Sequence, residues 1–319
     1  MVLRTEGYRK RISVHIEDVK SFENWVKNRP KLEQEKWDLL IRASAKLHLS
    51  ANPTCIFQIN NDVKFSDWDA TPPQARTCDV DLLVNMPTTV ALENSRNDKN
   101  FLLSLCKPSL RERLIELEAQ ERLVFDGPGG INELINNMNG KYVSHPAKRF
   151  KYWLLFDGDA TIPNEIAETA EQLIALCKAN KFNNFHCLSR RAIENYLPIS
   201  KDTDIEQLYS LFNVENTEFK EQLICFSNLT ENQRYYYHMK EGLKKSNCKN
   251  SGLYDDFDRN TKKTIGRGFK VRIDSLFYCG NNPKSEDFEP VYRLHEKEGT
   301  PDEMLEYLKQ LDFNTRKMQ

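Results

Sequence analysis

The segment KYWLLFDGDATIPNEI, residues 151–166, decides the fold of this chain. Five consecutive apolar residues, 152–156, are followed at once by Asp157-Gly158-Asp159. A continuous apolar run of this length is typical of a strand that is covered on both faces of a parallel sheet. We therefore predict a buried strand over 152–156 with two carboxylates at its carboxyl end.

Three other segments share the strand-then-helix order. Residues 12–16 alternate apolar and polar side chains, and residues 122–125 and 185–188 form short apolar runs. Apolar residues at helical spacing follow each of them. Strands that alternate with helices imply a parallel sheet with right-handed crossovers. The predicted fold class is α/β, a parallel sheet flanked by helices.

The alternation covers only part of the chain. Residues 1–30 and 121–200 are predicted to form a split core. Residues 31–120 are far too long for a crossover connection, so they are predicted to be an inserted subdomain. Within them the patterns are helical over 37–47 and 110–117 and strand-like over 54–59 and 80–84. Residues 201–319 are predicted to be a mostly helical C-terminal extension.

Composition narrows the functional class. The chain has 319 residues, of which 39% are hydrophobic and 29% charged, and no window approaches the ~18 uninterrupted apolar residues of a membrane span. The first 18 residues lack the apolar core of a secretory signal. The eight cysteines are scattered without a CxxC pair, which argues against a zinc ribbon or a disulfide framework. We expect a cytoplasmic protein with no membrane association.

Charge is unevenly distributed along the chain. The net charge is −1, yet residues 240–272 hold ten Lys or Arg residues against four acids. This basic stretch is either a face that meets phosphates or an ordinary solvated helix surface, and the sequence leaves both interpretations open.

Acidic residues follow several of the predicted strands. Glu17 follows the first, Asp157 and Asp159 follow the third, and Glu194 opens the segment after the fourth. A single Asp after a strand is usually a helix cap or turn residue, but one cap is enough for one helix. Because carboxyl ends of parallel strands meet at one edge, we expect these four carboxylates to converge. Hard oxygen ligands in that number select Mg²⁺ or Mn²⁺.

The same residues carry a family resemblance. A glutamate after a first strand, the DGD of residues 157–159 and the phrase RRAIENYL, residues 190–197, resemble the TOPRIM nuclease domain of the OLD family. The likeness is closest to the standalone TOPRIM branch found in the PARIS anti-phage defence system. It covers residues 10–28 and 122–198. It implies a TOPRIM fold, which is a Rossmann-like parallel sheet.

The resemblance also implies roles for individual residues. Glu17 is then a metal ligand and a possible acid–base group, Asp157 and Asp159 bind metal, and Glu194 completes a second metal position. The family motif E-G-x-x-D is only partly present after Glu17, where its last position is Ser21.

A lysine downstream of these acids is also part of the family pattern. Lys240 is the first candidate for it and Lys262 the second.

The activity implied is that of a Mg²⁺- or Mn²⁺-dependent endonuclease that cleaves tRNA or DNA. The family places such nucleases as toxic effectors of anti-phage defence, held by an ABC or OLD-type ATPase partner and active as homodimers. The chain has no GxxxxGK[ST] motif, so ATP dependence would come from the partner protein. Residues 31–120 are the predicted dimer or partner contact.

Three alternatives remain open at this stage. The first is a catalytically degenerate TOPRIM protein that acts as a binding or assembly module, as Ser21 suggests. The second is a topoisomerase- or primase-like DNA enzyme, with a nucleophile among Tyr235–Tyr237, although such aromatic clusters more often pack. The third is a nucleotidyltransferase acid pair at Asp79 and Asp81, although these acids precede their apolar run and suit a surface turn or an edge strand.

Overall fold

The computed structural model describes residues 18–50, 57–59, 63–244, 251–277, 283–299 and 301–316. Six strands lie in this part of the chain: β1 (Gln58–Ile59), β2 (Gln74–Ala75), β3 (Thr88–Leu92), β4 (Leu123–Asp126), β5 (Tyr152–Phe156) and β6 (Phe185–Cys187). The α-helices described are α1 (Val19–Lys27), α2 (Lys31–Ser50), α3 (Thr77–Asn85), α4 (Asn97–Leu105), α5 (Pro108–Ala119), α6 (Ile131–Met138), α7 (Glu168–Ala179), α8 (Ile205–Leu211), α9 (Thr217–Ser227), α10 (Glu231–Tyr236), α11 (Arg259–Ile265), α12 (Glu289–Glu298) and α13 (Asp302–Arg316). Within these residues, no helix has both the length and the apolar character that a bilayer crossing requires.

A four-stranded parallel sheet organises the molecule. Its strand order is β4-β3-β5-β6, and every neighbouring pair is parallel. The predicted α/β class is confirmed, and so are the predicted strands at 122–125, 152–156 and 185–188. Strands β1 and β2 form a separate two-stranded parallel ladder. It packs with α3 around Trp68 and Ala75 in a small cluster of its own.

The centre of the sheet corrects the predicted domain boundaries. Residues 88–119, which the sequence analysis assigns to an inserted subdomain, supply the central strand β3 and the helices α4 and α5. The prediction that all of 31–120 lies outside the core is therefore wrong for this part. The prediction of a strand over residues 80–84 is also wrong, because these residues lie in α3. The strand predicted at 12–16 lies outside the described residues.

The two faces of the sheet are covered by different helices. Alternate side chains of a strand point to opposite faces, so Leu92 and Leu155 face one side while Leu154 and Phe156 face the other. Helices α4 and α5 cover the first face, and α6 and α7 cover the second. Both faces are therefore buried, which explains why β5 is apolar throughout.

The C-terminal part of the chain shares the core of the sheet. Phe219, Phe226 and Leu294 belong to the same hydrophobic cluster as Leu92 and Leu155. These helices therefore form one body with the sheet.

A polar contact adds to this packing at the edge strand β6. There Glu303 of α13 accepts hydrogen bonds from the side chain and amide of Ser189, at 2.6 and 3.1 Å, and pairs with His186 Nε2 at 3.0 Å. The buried Tyr196 hydroxyl donates to the same carboxylate. Helix α13 is thereby tied to the end of β6.

The connections place a crevice between β3 and β5. After β3 the chain crosses to β4 at one edge, and after β5 it crosses to β6 at the other. The helices of these two crossovers lie on opposite faces of the sheet. In open parallel sheets, ligands bind at such a switch point, outside the carboxyl ends of the strands.

Replacing Leu92 by Ala tests the central position of β3. Leu92 is fully buried, and we expect Leu92→Ala to lower the free energy of unfolding by about 2–5 kcal/mol through lost burial and a residual cavity. The matched control is Leu82→Ala in α3, where the side chain is 44% exposed and the expected loss is below about 1 kcal/mol. Urea unfolding measures both. Equal losses would contradict the placement of β3 in the core.

Candidate active site

Two acidic side chains leave the central strands side by side. In the β3–β5 ladder Leu92 pairs with Leu155. Glu93 directly follows β3 and Asp157 directly follows β5, so both acids lie at the same edge of the sheet. The Asp157 amide donates a hydrogen bond of 2.7 Å to Glu93 Oε1. The switch point of the sheet is therefore occupied by two adjacent carboxylates.

The turn after β3 organises itself and adds a third acid. Asn94 Oδ1 accepts hydrogen bonds from the amides of Arg96 and Asn97, at 3.0 and 3.1 Å, which starts helix α4. In return Asp98 Oδ2 accepts from the Asn94 amide at 2.8 Å. Local bonds of this kind are what Asn and Asp favour at helix starts. They hold the buried Asp98 directly behind the end of β3.

The glycine-rich loop after β4 holds the backbone of this turn. The amides of Gly129 and Gly130 donate to the Glu93 carbonyl oxygen at 3.1 and 2.9 Å. A Cβ at Gly127 would lie 1.9 Å from the Ser95 amide nitrogen, so only glycine fits there. The Ile131 amide at the start of α6 favours the charged form of the Glu93 carboxylate and so lowers its pKa. The sequence DGPGG thus positions Glu93.

The DGD turn after β5 is shaped by a close backbone contact at Gly158 and a left-handed residue at Asp159. Gly158 is required by close approach, since a Cβ there would lie 2.4 Å from the Leu188 carbonyl oxygen. The left-handed residue is Asp159, with φ 46°, and its amide donates to the Arg191 carbonyl oxygen at 2.9 Å. Asp157 Oδ1 accepts from the Ile193 amide at 3.2 Å. The turn is therefore locked against the segment that carries Glu194.

The RRAIENYL segment brings a lysine to the acids. Glu194 is buried in a short 3-10 helix, Ile193–Tyr196. Its neighbour Asn195 donates to the carbonyl oxygens of Arg234 and Tyr237 at 2.8 and 2.9 Å. These bonds hold the segment after α10, and Lys240 Nζ lies 2.8 Å from Glu194 Oε1.

These acids are close enough to raise the pKa values of their neighbours. Burial, with added repulsion from Asp98 and Asp159, raises the pKa of Glu93 to about 7. Burial, with repulsion from Glu194, likewise raises the pKa of Asp98 to about 7.

Asp157 lies at the middle of the cluster. Burial and then repulsion from Glu93, Asp98, Glu194 and Asp159 raise its pKa well above the usual range. Burial by itself lowers the pKa of Lys240. The attraction of Glu194, Asp274 and Asp157 outweighs this effect and raises the pKa above its usual value.

The structure gathers most of the residues singled out in the sequence. Asp157, Asp159, Glu194 and Lys240 are close enough for their charges to interact, and Lys240 Nζ lies 2.8 Å from Glu194 Oε1. Glu17 lies outside the described residues. The acid that follows the strand next to β5 is Glu93.

Two further candidate residues are exposed. Asp18, the acid next to Glu17, caps α1 by accepting the Ser21 amide at 3.0 Å. Lys262, the second lysine candidate, is exposed on α11.

Glu93 and Asp98 are the residues that sequence reasoning missed. The signal for Glu93 is present in TTVALENSRND, residues 88–98, where an apolar run ends in an acid just as YWLLF does. Against the motif E-G-x-x-D, this stretch has Asn94 in place of the glycine and Asn97 in place of the aspartate, with Asp98 one residue later.

The donor set fits a hard divalent cation in type and charge. Five carboxylates share one neighbouring ammonium, and such an excess of negative charge is relieved by a cation with oxygen ligands. Several of the oxygens already accept protein hydrogen bonds, from the amides of Asp157, Asn94 and Ile193. Among the described residues, no group of three or more acids, histidines or cysteines is already arranged to hold a metal ion. Binding therefore requires that carboxylate side chains turn.

The features weighed as rivals have ordinary packing roles. The Tyr237 hydroxyl is buried and donates to the Ile265 carbonyl oxygen. The Arg190 guanidinium lies over the Tyr235 ring, 3.6 Å from its centroid. Asp79 is in the first turn of α3 and accepts a hydrogen bond from the Ser66 hydroxyl. These contacts favour neither a tyrosine nucleophile nor a nucleotidyltransferase pair.

No protein-family model, no curated protein and no solved structure matches this chain.

The raised pKa of Asp157 predicts how stability depends on pH. The native state binds a proton that the unfolded state releases near pH 4, so stability falls as pH rises from about 4 through the raised native pKa. Asp157→Asn keeps the bond from Ile193 and removes the charge. In EDTA we expect the variant to gain stability over the wild type as pH rises from 4.5 to 8, by about 1–3 kcal/mol at pH 8.

Urea unfolding at the two pH values measures this difference. The matched control is Asp204→Asn, since Asp204 caps α8 and Asn is an equally good cap. A constant difference between wild type and Asp157→Asn at both pH values would show that Asp157 does not lie in a repulsive cluster.

Proposed function

We propose that this protein is a Mg²⁺- or Mn²⁺-dependent phosphodiesterase that cleaves nucleic acid, as an endonuclease on tRNA or DNA. The observation that carries the proposal is the clustering of Glu93, Asp98, Asp157, Asp159 and Glu194 at the switch point of the sheet, beside a single lysine. A fold gains no stability from this repulsion, and burial of the Glu93, Asp98 and Asp157 carboxylates costs free energy. Clustered carboxylates with raised pKa values, such as these three, are typical of functional sites.

Each acid has a distinct place in the proposed site. Glu93 and Asp157 lie at the centre, where they would hold a divalent cation from the ends of β3 and β5. Asp159 and Glu194 flank them, and Asp98 lies behind Glu93. A cation bound there supplies Lewis-acid stabilisation of a phosphoryl group and, with a second cation, of both the attacking and the leaving oxygens.

Two residues contribute chemistry of their own. Lys240 is 62% exposed beyond its contact with Glu194, so its ammonium is available to the negative charge that develops on a phosphate. Glu93, with a pKa of about 7 in the free protein, takes up or releases a proton at its carboxylate near neutral pH.

The biological setting is proposed from the family resemblance. The DGD and RRAIENYL segments resemble the OLD-family TOPRIM nucleases, in particular the standalone branch of anti-phage defence. On that basis the protein is an effector that an ABC or OLD-type ATPase partner holds in check and that acts as a homodimer. The four strands also agree with a TOPRIM arrangement in which a glutamate follows the first sheet strand and DxD a later one.

A second candidate function is a binding or assembly module with an inactive site. Two observations favour it. Asn97 stands where the family motif has an aspartate, and no three of the described carboxylates are arranged to hold a metal ion. The two candidates differ in whether nucleic acid is cleaved.

Metal binding is the first test. We expect Mn²⁺ and Mg²⁺ to raise the melting temperature of the wild type, because a ligand that binds only the native state stabilises it. Asp157→Asn and Glu93→Gln should lose this rise, while the control Asp204→Asn keeps it. With Mn²⁺ present, the wild type should cleave plasmid DNA or total tRNA and both site variants should lose at least about 100-fold in rate. A metal-induced rise in the melting temperature without cleavage favours the binding module. The absence of any rise in the wild type contradicts the proposed metal site.

The role of Lys240 has its own readout. We expect Lys240→Ala to slow cleavage by about 10²–10³-fold, as for loss of one charge-stabilising donor, without abolishing the metal-induced rise in melting temperature. Gel assays of cleavage and thermal melts with Mn²⁺ measure the two effects. Wild-type cleavage by Lys240→Ala would remove this residue from the proposed chemistry.

A further inference from the structure

A basic cleft opens beside the acidic cluster. It has a volume of 120 Å³. Glu194 and Lys240, which belong to the proposed active site, line one part of it, and Lys270, Arg272 and Asp274 line another. The basic stretch noted in the sequence therefore contributes three cations to a surface next to the acids.

The cations of this cleft are held by buried polar contacts. Asp274 is buried, and its carboxylate accepts two hydrogen bonds from Arg272, through Nε at 3.1 Å and Nη2 at 2.5 Å. The same carboxylate accepts from Asn97 Nδ2 at 2.8 Å. Asn97 begins helix α4, directly after the turn that carries Glu93. Arg272 is thereby fixed relative to the acidic cluster while 73% of its side chain stays exposed.

The backbone around Lys270 is equally well defined. The buried Gln222 side chain donates to the carbonyl oxygens of Thr264 and Gly268, both at 2.9 Å, and accepts from the Lys270 amide at 2.8 Å. A Cβ at Gly268 would lie 2.5 Å from the Lys240 carbonyl oxygen, so the backbone segments that carry Lys240 and Lys270 are in direct contact. The Lys270 side chain is 49% exposed, and its nearest acid, Glu218, is 3.7 Å away.

These observations lead to a ligand class. We infer that the cleft binds a backbone phosphate of a polynucleotide strand, next to the phosphate that is cleaved at the acidic cluster. This inference rests on the proposed function. The fixed Arg272 supplies a guanidinium suited to phosphate, and Lys270 adds a mobile charge. Because the cleft lies beside the acidic cluster, a polynucleotide strand can place one phosphate on the cations and the next at a metal ion that the acids would hold.

The inference explains how a polyanion approaches an acidic centre. The five carboxylates repel phosphate when no metal is present. Lys240, Lys270 and Arg272 offset this repulsion on the side of the cleft, which favours the approach of a strand from that side. Binding by these cations does not depend on metal, and this separates the cleft experimentally from the catalytic centre.

The test measures binding of a fluorescein-labelled 15-nucleotide single-stranded DNA by anisotropy, in EDTA, over a range of salt concentrations. Each phosphate contact contributes about 0.7 to the slope of log K against log salt for a single strand. We expect Lys270→Ala to reduce the slope by about 0.7 and to weaken binding about 5-fold at 0.1 M salt. The paired variant Arg272→Ala/Asp274→Asn, which leaves no unpaired buried carboxylate, should show a similar loss.

Matched controls decide what the result means. Lys178→Ala changes an exposed lysine on α7, which covers the other face of the sheet, and it should bind like the wild type. Unchanged slopes in both cleft variants would overturn the inference, and so would an equal loss in Lys178→Ala. Wild-type binding of a labelled decaglutamate peptide, with the same losses in the variants, would also overturn it by making the cleft a general anion surface.

The outcome is independent of the metal test. If the cleft variants lose binding but Mn²⁺ has no effect on the melting temperature, the cleft stands and the nuclease proposal fails. If Mn²⁺ stabilises the wild type and the cleft variants bind normally, the nuclease proposal stands and the cleft assignment fails.

Discussion

Repulsion among carboxylates at the ends of β3 and β5 is the constraint on which the rest of the structure depends. Glu93 and Asp157 are forced together by the register of two parallel strands, and Asp98, Asp159 and Glu194 crowd around them. Much of the surrounding architecture serves to hold these groups despite that repulsion. The DGPGG loop, the Asn94 turn and the Ile193 amide each supply hydrogen-bond donors to the backbone or side chains of the acids.

The positive charge that offsets these acids comes from a distant part of the sequence. Lys240 and Arg272 are placed by amide side chains. The buried Asn195 holds the segment before Lys240, and the half-buried Asn97 holds Asp274 and with it Arg272. Because the helices after residue 200 share one hydrophobic core with the sheet, the acidic and basic halves of the site form a single rigid surface. The sequence predicts a core and a C-terminal extension. In the structure the helices of the extension pack in the same hydrophobic cluster as the sheet.

Local sequence patterns predicted the elements whose signals are local. The apolar run of β5, the DGD turn and the short helix of RRAIENYL were recognisable because burial on both sheet faces and turn chemistry leave traces within a few residues. Strand β3 was missed because only Val90, Ala91 and Leu92 of its five residues are apolar, and so short an apolar run does not distinguish a strand from a buried helix. Residues 80–84 show the same ambiguity, since they were predicted to be a strand and lie in a helix. The neighbourhood of Glu93 depends on sheet order, which is a long-range property that no local pattern encodes.

The order of the site residues along the chain has a consequence for biosynthesis. The acids of β3 and β5 leave the ribosome well before Lys240, Arg272 and Asp274, and helix α13, which fastens the end of β6 through Glu303, follows them. A nascent chain therefore exposes an uncompensated anionic edge until Lys240 and Arg272 have been synthesised. A polypeptide that stops before residue 240 lacks the cations that face these acids.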